Sequence, residues 1–452
     1  MIGPRQVAQG LLFCEFSIED HVPVDHLLRN IDRHLDLSEI RSFIAPYYSH
    51  QGRPSIDPEL MIRMLLLGYA TGIRSERRLC EEIHLNLAYR WFCRLDLTDP
   101  IPDHSTFSKN RHGRFRGCDL FRHLFETVLA RCIAGGLVGG EAFGVNALIV
   151  QADAKRLNKV EAKDWTPELI TRATEEYFET LDDEAFGPTT TVKPKVLSQV
   201  DPAARFTGAK KAHSIFAYST NYLVDLDNSV IVDVETTAPI RQAEVNAALN
   251  MVDRVEEKFV FYPERFVGDG AYDNAETLGW PVHEKGIEPH VPVLDKTGRQ
   301  NGTFSRTAFK FDHEGDRYLC PGGKELLPAR RPFQTIRPRV KDDETVRYRT
   351  AKVDCEGCAL KQQCCPNTPT RHVNRSIHEG ARDLARDIAK TDAFVASRRA
   401  RRKAEMLFAH VKKIMGLDRL RLKGPNGAKD EFTLAATVQN LRKMAKLLPA
   451  TG

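Results

Sequence analysis

The chain, 452 residues long, lacks the features of a membrane or secreted protein. It has no apolar run that approaches the roughly 18 consecutive residues a membrane helix requires. Near its start, the short apolar run at 11–13 is interrupted by Glu15, which is not the pattern of a secretory signal peptide. We therefore expect a cytoplasmic protein, in which the ten cysteines would not form a disulfide framework.

A large charge imbalance is also missing, since the formal net charge is only +5. Hydrophobic residues make up 42% of the chain and charged residues 28%, which is typical of a globular protein with two or three domains. The positive charge is unevenly placed, because residues 394–423 contain ten Lys or Arg and two acids. Such a cluster favours a nucleic-acid backbone as the partner, while a membrane surface or an acidic protein also fits.

Residues 397–416, SRRARRKAEMLFAHVKKIMG, have the spacing of an amphipathic helix. At about 100° per residue, Glu405 falls among the cations Arg398, Arg401 and Lys412. One interpretation is a solvated helix face on which Glu405 pairs with Arg401. The other is a carboxylate that holds a divalent metal beside cations that bind phosphates. The predicted buried face comprises Ala404, Leu407, Val411, Ile414 and Met415.

Two further acids each follow a predicted strand. The apolar run 147–150 leads to Asp153, and residues 265–268 lead to Asp269. Acids at the carboxyl ends of neighbouring strands meet at one edge of an α/β sheet, and oxygen ligands suit Mg²⁺ or Mn²⁺. Two such ions would support in-line displacement at a phosphodiester. Judged singly, each acid fits a turn cap better, since Asp-Gly at 269–270 is a common turn pair.

The first part of the chain carries helix signals. Asp57 before Pro58 and Ser75 are predicted N-caps, and Ser105 is predicted to open a further short helix. Short helices joined by sharp turns are typical of a helix-turn-helix arrangement, and equally of a small helical bundle without a role in DNA binding.

After residue 147 the pattern changes to alternating strands and helices. Residues 217–225 and 230–237 alternate as a hairpin, whose tip would hold Asp225 and Asp227. These two acids compete with Asp153 for a catalytic role, but a hairpin tip favours a structural one. A helix is predicted over 242–258, and the alternation indicates a mixed α/β sheet.

The acids and their neighbours resemble the motifs of a known family. Asp269, Gly270, Ala271 and Tyr272, followed by an arginine, glutamate and lysine at 401, 405 and 412, are similar to the DDE transposases of bacterial insertion sequences. That resemblance implies a ribonuclease H-like core that uses two Mg²⁺ or Mn²⁺ ions to cut and join DNA. The implied metal ligands are Asp153, Asp269 and Glu405. The implied DNA contacts are Tyr272, Arg398, Arg401 and Lys412.

The resemblance extends to the first part of the chain. Residues 52–79, GRPSIDPELMIRMLLLGYATGIRSERRL, and 102–109, PDHSTFSK, are similar to the helical leader domain of these transposases, which implies binding of terminal inverted repeats. Two positions depart from the family pattern. Arg398 stands where the family usually has tyrosine, and Ala271 replaces the usual glycine.

Five cysteines lie between residues 295 and 370, a stretch predicted to be irregular. Cys355 and Cys358 form a C-x-x-C pair, Cys364 and Cys365 follow, and Cys320 lies in the turn CPGGK. Four thiolates on two turns predict structural zinc at Cys320, Cys355, Cys358 and Cys364, with Cys365 a rival for the fourth ligand. The alternative is a redox-active or empty cysteine loop. Packing roles are predicted for Cys14, Cys80, Cys93, Cys118 and Cys132.

The expected architecture is α/β, a ribonuclease H-like mixed sheet with flanking helices. An all-helical DNA-binding domain would occupy residues 1–140, and the first part of the catalytic core 141–294. A cysteine-bearing insertion would cover 295–375. The second part of the core, with the glutamate-bearing helix, would cover 376–452.

The expected function is that of an insertion-sequence transposase, which hydrolyses a phosphodiester at the element end and transfers the strand. Its partners would be terminal inverted repeats and target DNA, in a dimeric synaptic complex at the nucleoid. Two alternatives stay open. One is a catalytically inactive, transposase-derived repressor, and the other is a metal-dependent nuclease that cuts without joining.

Overall fold

The computed structural model describes residues 16–48, 51, 55–113, 115, 118–167, 170–181, 185–186, 194–208, 213–294, 302–328 and 338–448. The chain divides into two compact units. The first unit comprises Met1–Gly139, Ala147–Phe261 and Lys403–Gly452, and the second comprises Gly140–Asn146 and Tyr262–Arg402. Within the described ranges, every helix is too short or too polar to cross a membrane.

The described helices and strands are numbered in chain order. The helices are α1 Ile18–His21, α2 Leu27–His34, α3 Ile40–Ile44, α4 Pro58–Thr71, α5 Glu76–Leu85, α6 Leu87–Phe92, α7 His104–His112, α8 Leu120–Ala134, α9 Arg172–Glu179, α10 Arg241–Phe259, α11 Ala275–His283, α12 Lys352–Glu356, α13 Lys361–Cys364, α14 Glu379–Ile388, α15 Asp392–Lys413 and α16 Gly424–Leu447. The strands are β1 Ala142–Gln151, β2 Lys159–Glu161, β3 Val196–Ser198, β4 Arg205–Thr207, β5 Ile215–Asp225, β6 Val230–Thr237, β7 Arg265–Val267, β8 Glu288–His290, β9 Lys310–Asp312, β10 Arg317–Leu319, β11 Glu325–Pro328, β12 Thr345–Arg349 and β13 His372–Ser376.

The start of the first unit is helical, as the sequence predicted. Asp57 caps α4 by accepting the N–H of Glu59, and Ser75 caps α5. The predicted start at Ser105 is wrong by two residues, because Asp103 caps α7 by accepting the Ser105 N–H at 2.8 Å. The Ser105 hydroxyl also donates to the Asp103 carboxylate, at 2.5 Å. Ser105 is therefore the second residue of the helix and not its cap.

Helix α16 forms the centre of the first unit and packs on β6, α2, α4, α8 and α9. The amide of Asn440, fully buried, accepts the Ile231 N–H at 2.9 Å and donates to the Ile231 carbonyl at 2.8 Å. A buried ion pair joins Glu431 to Arg74, which follows α4. The N-terminal helices thus share one compact unit with residues 147–261, instead of forming a unit of their own.

The sheet of the first unit contains the predicted hairpin, since β5 and β6 pair antiparallel, as do β4 and β5. The last part of β1 lies beside β5. In the second unit, the first part of β1 pairs with β7 in parallel, and β7 pairs in parallel with β8. The sheets are therefore mixed, as expected for an α/β protein.

The second unit also contains a five-stranded antiparallel sheet in the order β13-β12-β11-β10-β9. The expectation of an irregular stretch here is wrong for the described residues. Each strand has only three to five residues, too few to give a periodic pattern. The strands are held by a small core of Phe309, Tyr318, Leu326, Val346, Tyr348, Cys355, Cys364, Cys365 and Val373.

Candidate active site

Helix α15 carries the acid and cations that the sequence singled out. One side of the helix is buried, and it includes Phe408, whose ring centroid lies 5.5 Å from that of Tyr222. Ile414 is 52% exposed, contrary to the prediction, because the helix ends at Lys413. The other four positions of the predicted apolar face are buried, namely Ala404, Leu407, Val411 and Met415.

The polar edge of α15 is accessible. Arg398 and Glu405 are exposed, and their side chains therefore reach solvent. Lys412 extends from the helix to β1, where its Nζ donates to the carbonyl of Ile149 at 3.4 Å. The lysine of the predicted motif thus lies beside the strand that leads to the first candidate acid.

Asp153 follows β1, as predicted, in the first unit. The N–H of Ala152 donates to Phe216 on β5 at 2.9 Å and fixes the end of the strand. The Asp153 side chain is 34% exposed, and its Oδ1 lies 2.7 Å from Nη2 of Arg419. No role was predicted for Arg419, although it belongs to the cationic stretch 394–423.

Asp269 follows β7, again as predicted, in the second unit. Its Oδ1 accepts the Ala271 N–H at 2.7 Å, and its carbonyl accepts the Tyr272 N–H at 3.1 Å. The carboxylate therefore caps a turn, yet half of the side chain stays exposed. Nη2 of Arg401 lies 3.6 Å from Asp269 Oδ2, which brings together two of the predicted site residues.

The residues around Asp269 explain the Asp-Gly-x-Tyr pattern by packing. A Cβ on Gly270 would lie 2.5 Å from Cδ1 of Leu294, so a larger residue there would displace this half-exposed side chain. The ring of Tyr272 is 4% exposed and packs edge-on against Phe266 at 6.0 Å. A DNA contact through the Tyr272 ring does not agree with this burial, and we correct its role to packing beneath the turn.

Of the two competing acids at the hairpin tip, Asp225 has a structural role, as expected. Asp225 is fully buried. Its carboxylate accepts the N–H groups of Gly139, Asp227 and Asn228 at 3.1–3.3 Å. These bonds close the turn between β5 and β6.

The five cysteines of the second unit gather around two turns and the core of the five-stranded sheet. In the first turn, the sulfur of Cys320 accepts the Lys324 N–H at 3.3 Å. A Cβ on Gly322 would lie 3.7 Å from the Cys320 sulfur and 3.6 Å from the Cys358 sulfur. Burial raises the pKa of Cys364 to about 12, and the neighbouring Cys365 and Cys320 add to the shift.

The helical cysteines pack as predicted. Cys93, Cys118 and Cys132 are buried, and burial raises the pKa of the Cys132 thiol to about 12. Cys80 is partly buried. Cys14 lies outside the described residues.

In the described part of the chain, no group of three or more His, Cys, Asp or Glu residues is arranged to hold a metal ion. The donor types nevertheless suit the predicted ions. Partly exposed carboxylates are ligands for Mg²⁺ or Mn²⁺, and clustered thiols are ligands for Zn²⁺.

Two comparisons decide the family. Residues 16–113 match the family described as Transposase domain (DUF772), and residues 319–445 match the family described as Transposase DDE domain. The chain belongs to the DDE transposases. The matched DDE segment of this transposase contains Glu405 and the five clustered cysteines, whereas Asp153 and Asp269 precede it. No curated protein and no solved structure matches the chain.

The transposase is thus an enzyme of DNA cleavage and strand transfer, and DNA is its substrate. Membership of the DDE family implies dependence on a divalent metal. The two family matches agree with the resemblance to DDE transposases seen in the sequence. That resemblance rested on the acids, the Arg-x-x-x-Glu spacing and the helical leader.

Proposed function

We propose that this transposase cuts and joins DNA at the ends of an insertion sequence through Asp153, Asp269 and Glu405, in a ribonuclease H-like core. The observation that carries the proposal is the contact of Arg401 with Asp269 at 3.6 Å. It connects the second acid to the helix that bears the Arg-x-x-x-Glu motif. Asp153 supports the proposal as an accessible carboxylate at the end of β1.

In this proposal the three carboxylates hold two Mg²⁺ or Mn²⁺ ions, which suit oxygen ligands. Bound there, the ions would favour the attacking oxygen and stabilise the leaving oxygen of an in-line displacement. Arg398, Arg401 and Lys412 bind phosphates of the DNA and orient the scissile bond. Hydrolysis at the element end releases a 3′-hydroxyl, and this hydroxyl then attacks a phosphodiester of the target.

We also propose that Cys320, Cys355, Cys358 and Cys364 hold a structural Zn²⁺. Supporting this, Cys320 and Cys358 both lie beside Gly322, and Cys355 and Cys364 line the core of the five-stranded sheet. Ligation of zinc stabilises segments whose own core is small. Cys365 is the competing fourth ligand, since it lies in the same core.

Synapsis of two element ends requires two active sites, and we propose a dimer in the working complex. The site of action would be the DNA of the nucleoid. A repressor without catalysis and a nuclease without strand transfer are the competing functions.

The experiment uses the full chain, Mg²⁺ and a duplex with the element's terminal inverted repeat. Asp269→Asn and Glu405→Gln are expected to lower cleavage and strand transfer by roughly a hundredfold or more, while DNA affinity is retained. Asp227→Asn, at the hairpin tip, is the matched control and should keep full activity. Wild-type cleavage without joining would favour the nuclease, and tight binding without cleavage would favour the repressor.

A further inference from the structure

Arg419 is held beside Asp153 by the backbone as well as by its own charge. Gln151 and Arg419 form a parallel β-bridge, and the N–H of Leu420 donates to the Gln151 carbonyl at 2.8 Å. These bonds fix the chain on both sides of the Arg419 side chain, whose Nη2 lies 2.7 Å from Asp153 Oδ1. The contact is therefore positioned by the fold, and it is not a chance meeting of two surface side chains.

The contact with Asp153 uses Nη2 of Arg419 and leaves other N–H donors of the guanidinium outside this ion pair. The Nε of Arg419 is buried and has no hydrogen-bond partner among the described residues, although the side chain as a whole is 40% exposed. A guanidinium presents five N–H donors in a planar fork that matches the oxygens of a phosphate. In this conformation the buried Nε is out of reach of a phosphate, and it could donate to an oxyanion only after the guanidinium turns away from Asp153.

The surface of the first unit next to this pair is cationic. Lys155 and Arg156 lie two and three residues after Asp153, and Arg421 and Lys423 lie two and four residues after Arg419. All four are exposed, against one exposed acid, Asp418. Exposed cations near an arginine with unused donors suit a phosphodiester backbone. For a transposase, the polyanion of matching chemistry is its DNA substrate.

We propose that Arg419 is a switchable positioning residue, which pairs with Asp153 in the free protein and binds a DNA phosphate once a divalent cation takes Asp153. The inference rests on the assignment of Asp153 as a metal ligand in the proposed function. A divalent cation held by Asp153 would neutralise the carboxylate and repel the guanidinium, and Arg419 would then exchange the ion pair for a phosphate contact.

The first test needs no metal. DNA affinity is measured in EDTA by fluorescence anisotropy with a labelled duplex of arbitrary sequence, because phosphate contacts do not depend on sequence. Asp153→Asn releases Arg419 and is expected to raise affinity roughly fivefold, the size of a partly exposed ion pair. The same Asp153→Asn change made in the Arg419→Gln background should give no gain over Arg419→Gln alone. An equal gain in both backgrounds would arise from charge removal alone and would overturn the proposal.

The second test measures Mn²⁺ binding without DNA, from the electron paramagnetic resonance signal of free Mn²⁺. Arg419→Gln removes the competing cation and should tighten Mn²⁺ binding roughly fivefold. Arg33→Gln, which removes an exposed arginine of α2, is the control for loss of one positive charge and should leave Mn²⁺ binding unchanged. If Asp153→Asn weakens Mn²⁺ binding but Arg419→Gln has no effect, the switch is wrong and the metal assignment stands. If Asp153→Asn leaves Mn²⁺ binding unchanged, the metal assignment of Asp153 is wrong.

A conservative variant separates position from folding. Arg419→Lys keeps the charge but loses the fork, and we expect Mn²⁺ and DNA affinities between those of wild type and Arg419→Gln. Thermal unfolding of each variant shows whether it is folded. Identical affinities for Arg419→Lys and Arg419→Gln, in folded proteins, would contradict the phosphate role.

Discussion

Arg401 and Asp269 form an ion pair in the second unit, with Nη2 and Oδ2 3.6 Å apart. In the first unit, Asp153 has a comparable partner in Arg419 at 2.7 Å. Each of the two candidate acids that follow a strand is thus faced by an arginine. In each pair the guanidinium lies within ion-pair distance of an accessible carboxylate that we propose as a metal ligand.

Arg401→Gln tests the first pair. Loss of the guanidinium removes a partner of Asp269 and a proposed phosphate contact, and we expect cleavage to fall roughly ten- to a hundredfold. Initial rates of cleavage and DNA affinity, measured together, distinguish the two losses. Arg399→Gln is the control, since it points about 160° away on the helix and is exposed. An equal loss in both variants would mean that only the net charge of α15 matters.

Zinc content tests the cysteine cluster. Purified wild-type protein is expected to contain about one zinc ion per chain, measured by inductively coupled plasma mass spectrometry. Cys358→Ser should lose the metal, and Cys132→Ser, in the buried face of α8, should retain it. Comparison of Cys364→Ser with Cys365→Ser identifies the fourth ligand. Zinc-free wild type from zinc-supplemented cells would contradict the proposed site.

Local signals explain how much of the fold the sequence predicted. Asp57 and Ser75 cap helices through bonds to residues two and three positions away, and such short-range bonds leave a readable pattern. The hairpin of β5 and β6 was predicted from the alternation of the two strands and the turn residues Asp227 and Asn228. Asp153 and Asp269 were located correctly because each follows an apolar strand.

Long-range contacts explain what the sequence did not predict. Asp153 and Arg419 are 266 residues apart in the chain, and no periodicity relates them. The strands of the five-stranded sheet are short, and they depend on one another through the core around Tyr318 and Tyr348. Tyr272 was assigned to DNA, because sequence spacing cannot distinguish an exposed ring from a buried one.

Gly424 starts α16 in a conformation that requires glycine. Its φ is +84°, and a Cβ would lie 2.3 Å from Oε2 of Glu176. Gly424→Ala is expected to destabilise the protein by about 2 kcal/mol or more, measured by denaturant unfolding. Gly136→Ala is the control, because its φ is +69° but its Cβ would meet nothing within 4 Å. Equal losses in both variants would assign the effect to φ alone.

The N-terminus of α16 is also bound by Asp201, a fully buried carboxylate. It accepts the Tyr218 hydroxyl at 2.6 Å and the Gly424 N–H at 3.2 Å, yet burial raises its pKa from 3.8 to about 6. The folded state therefore keeps a proton that the unfolded state loses, and the contribution of Asp201 to stability falls as pH rises from about 4 to 6. The stability of wild type relative to Asp201→Asn should decrease across this range by on the order of 2 kcal/mol and then level off. Denaturant unfolding of both proteins at pH 4.5 to 7.5 measures this difference, and a difference independent of pH would show that Asp201 ionises normally in the folded protein.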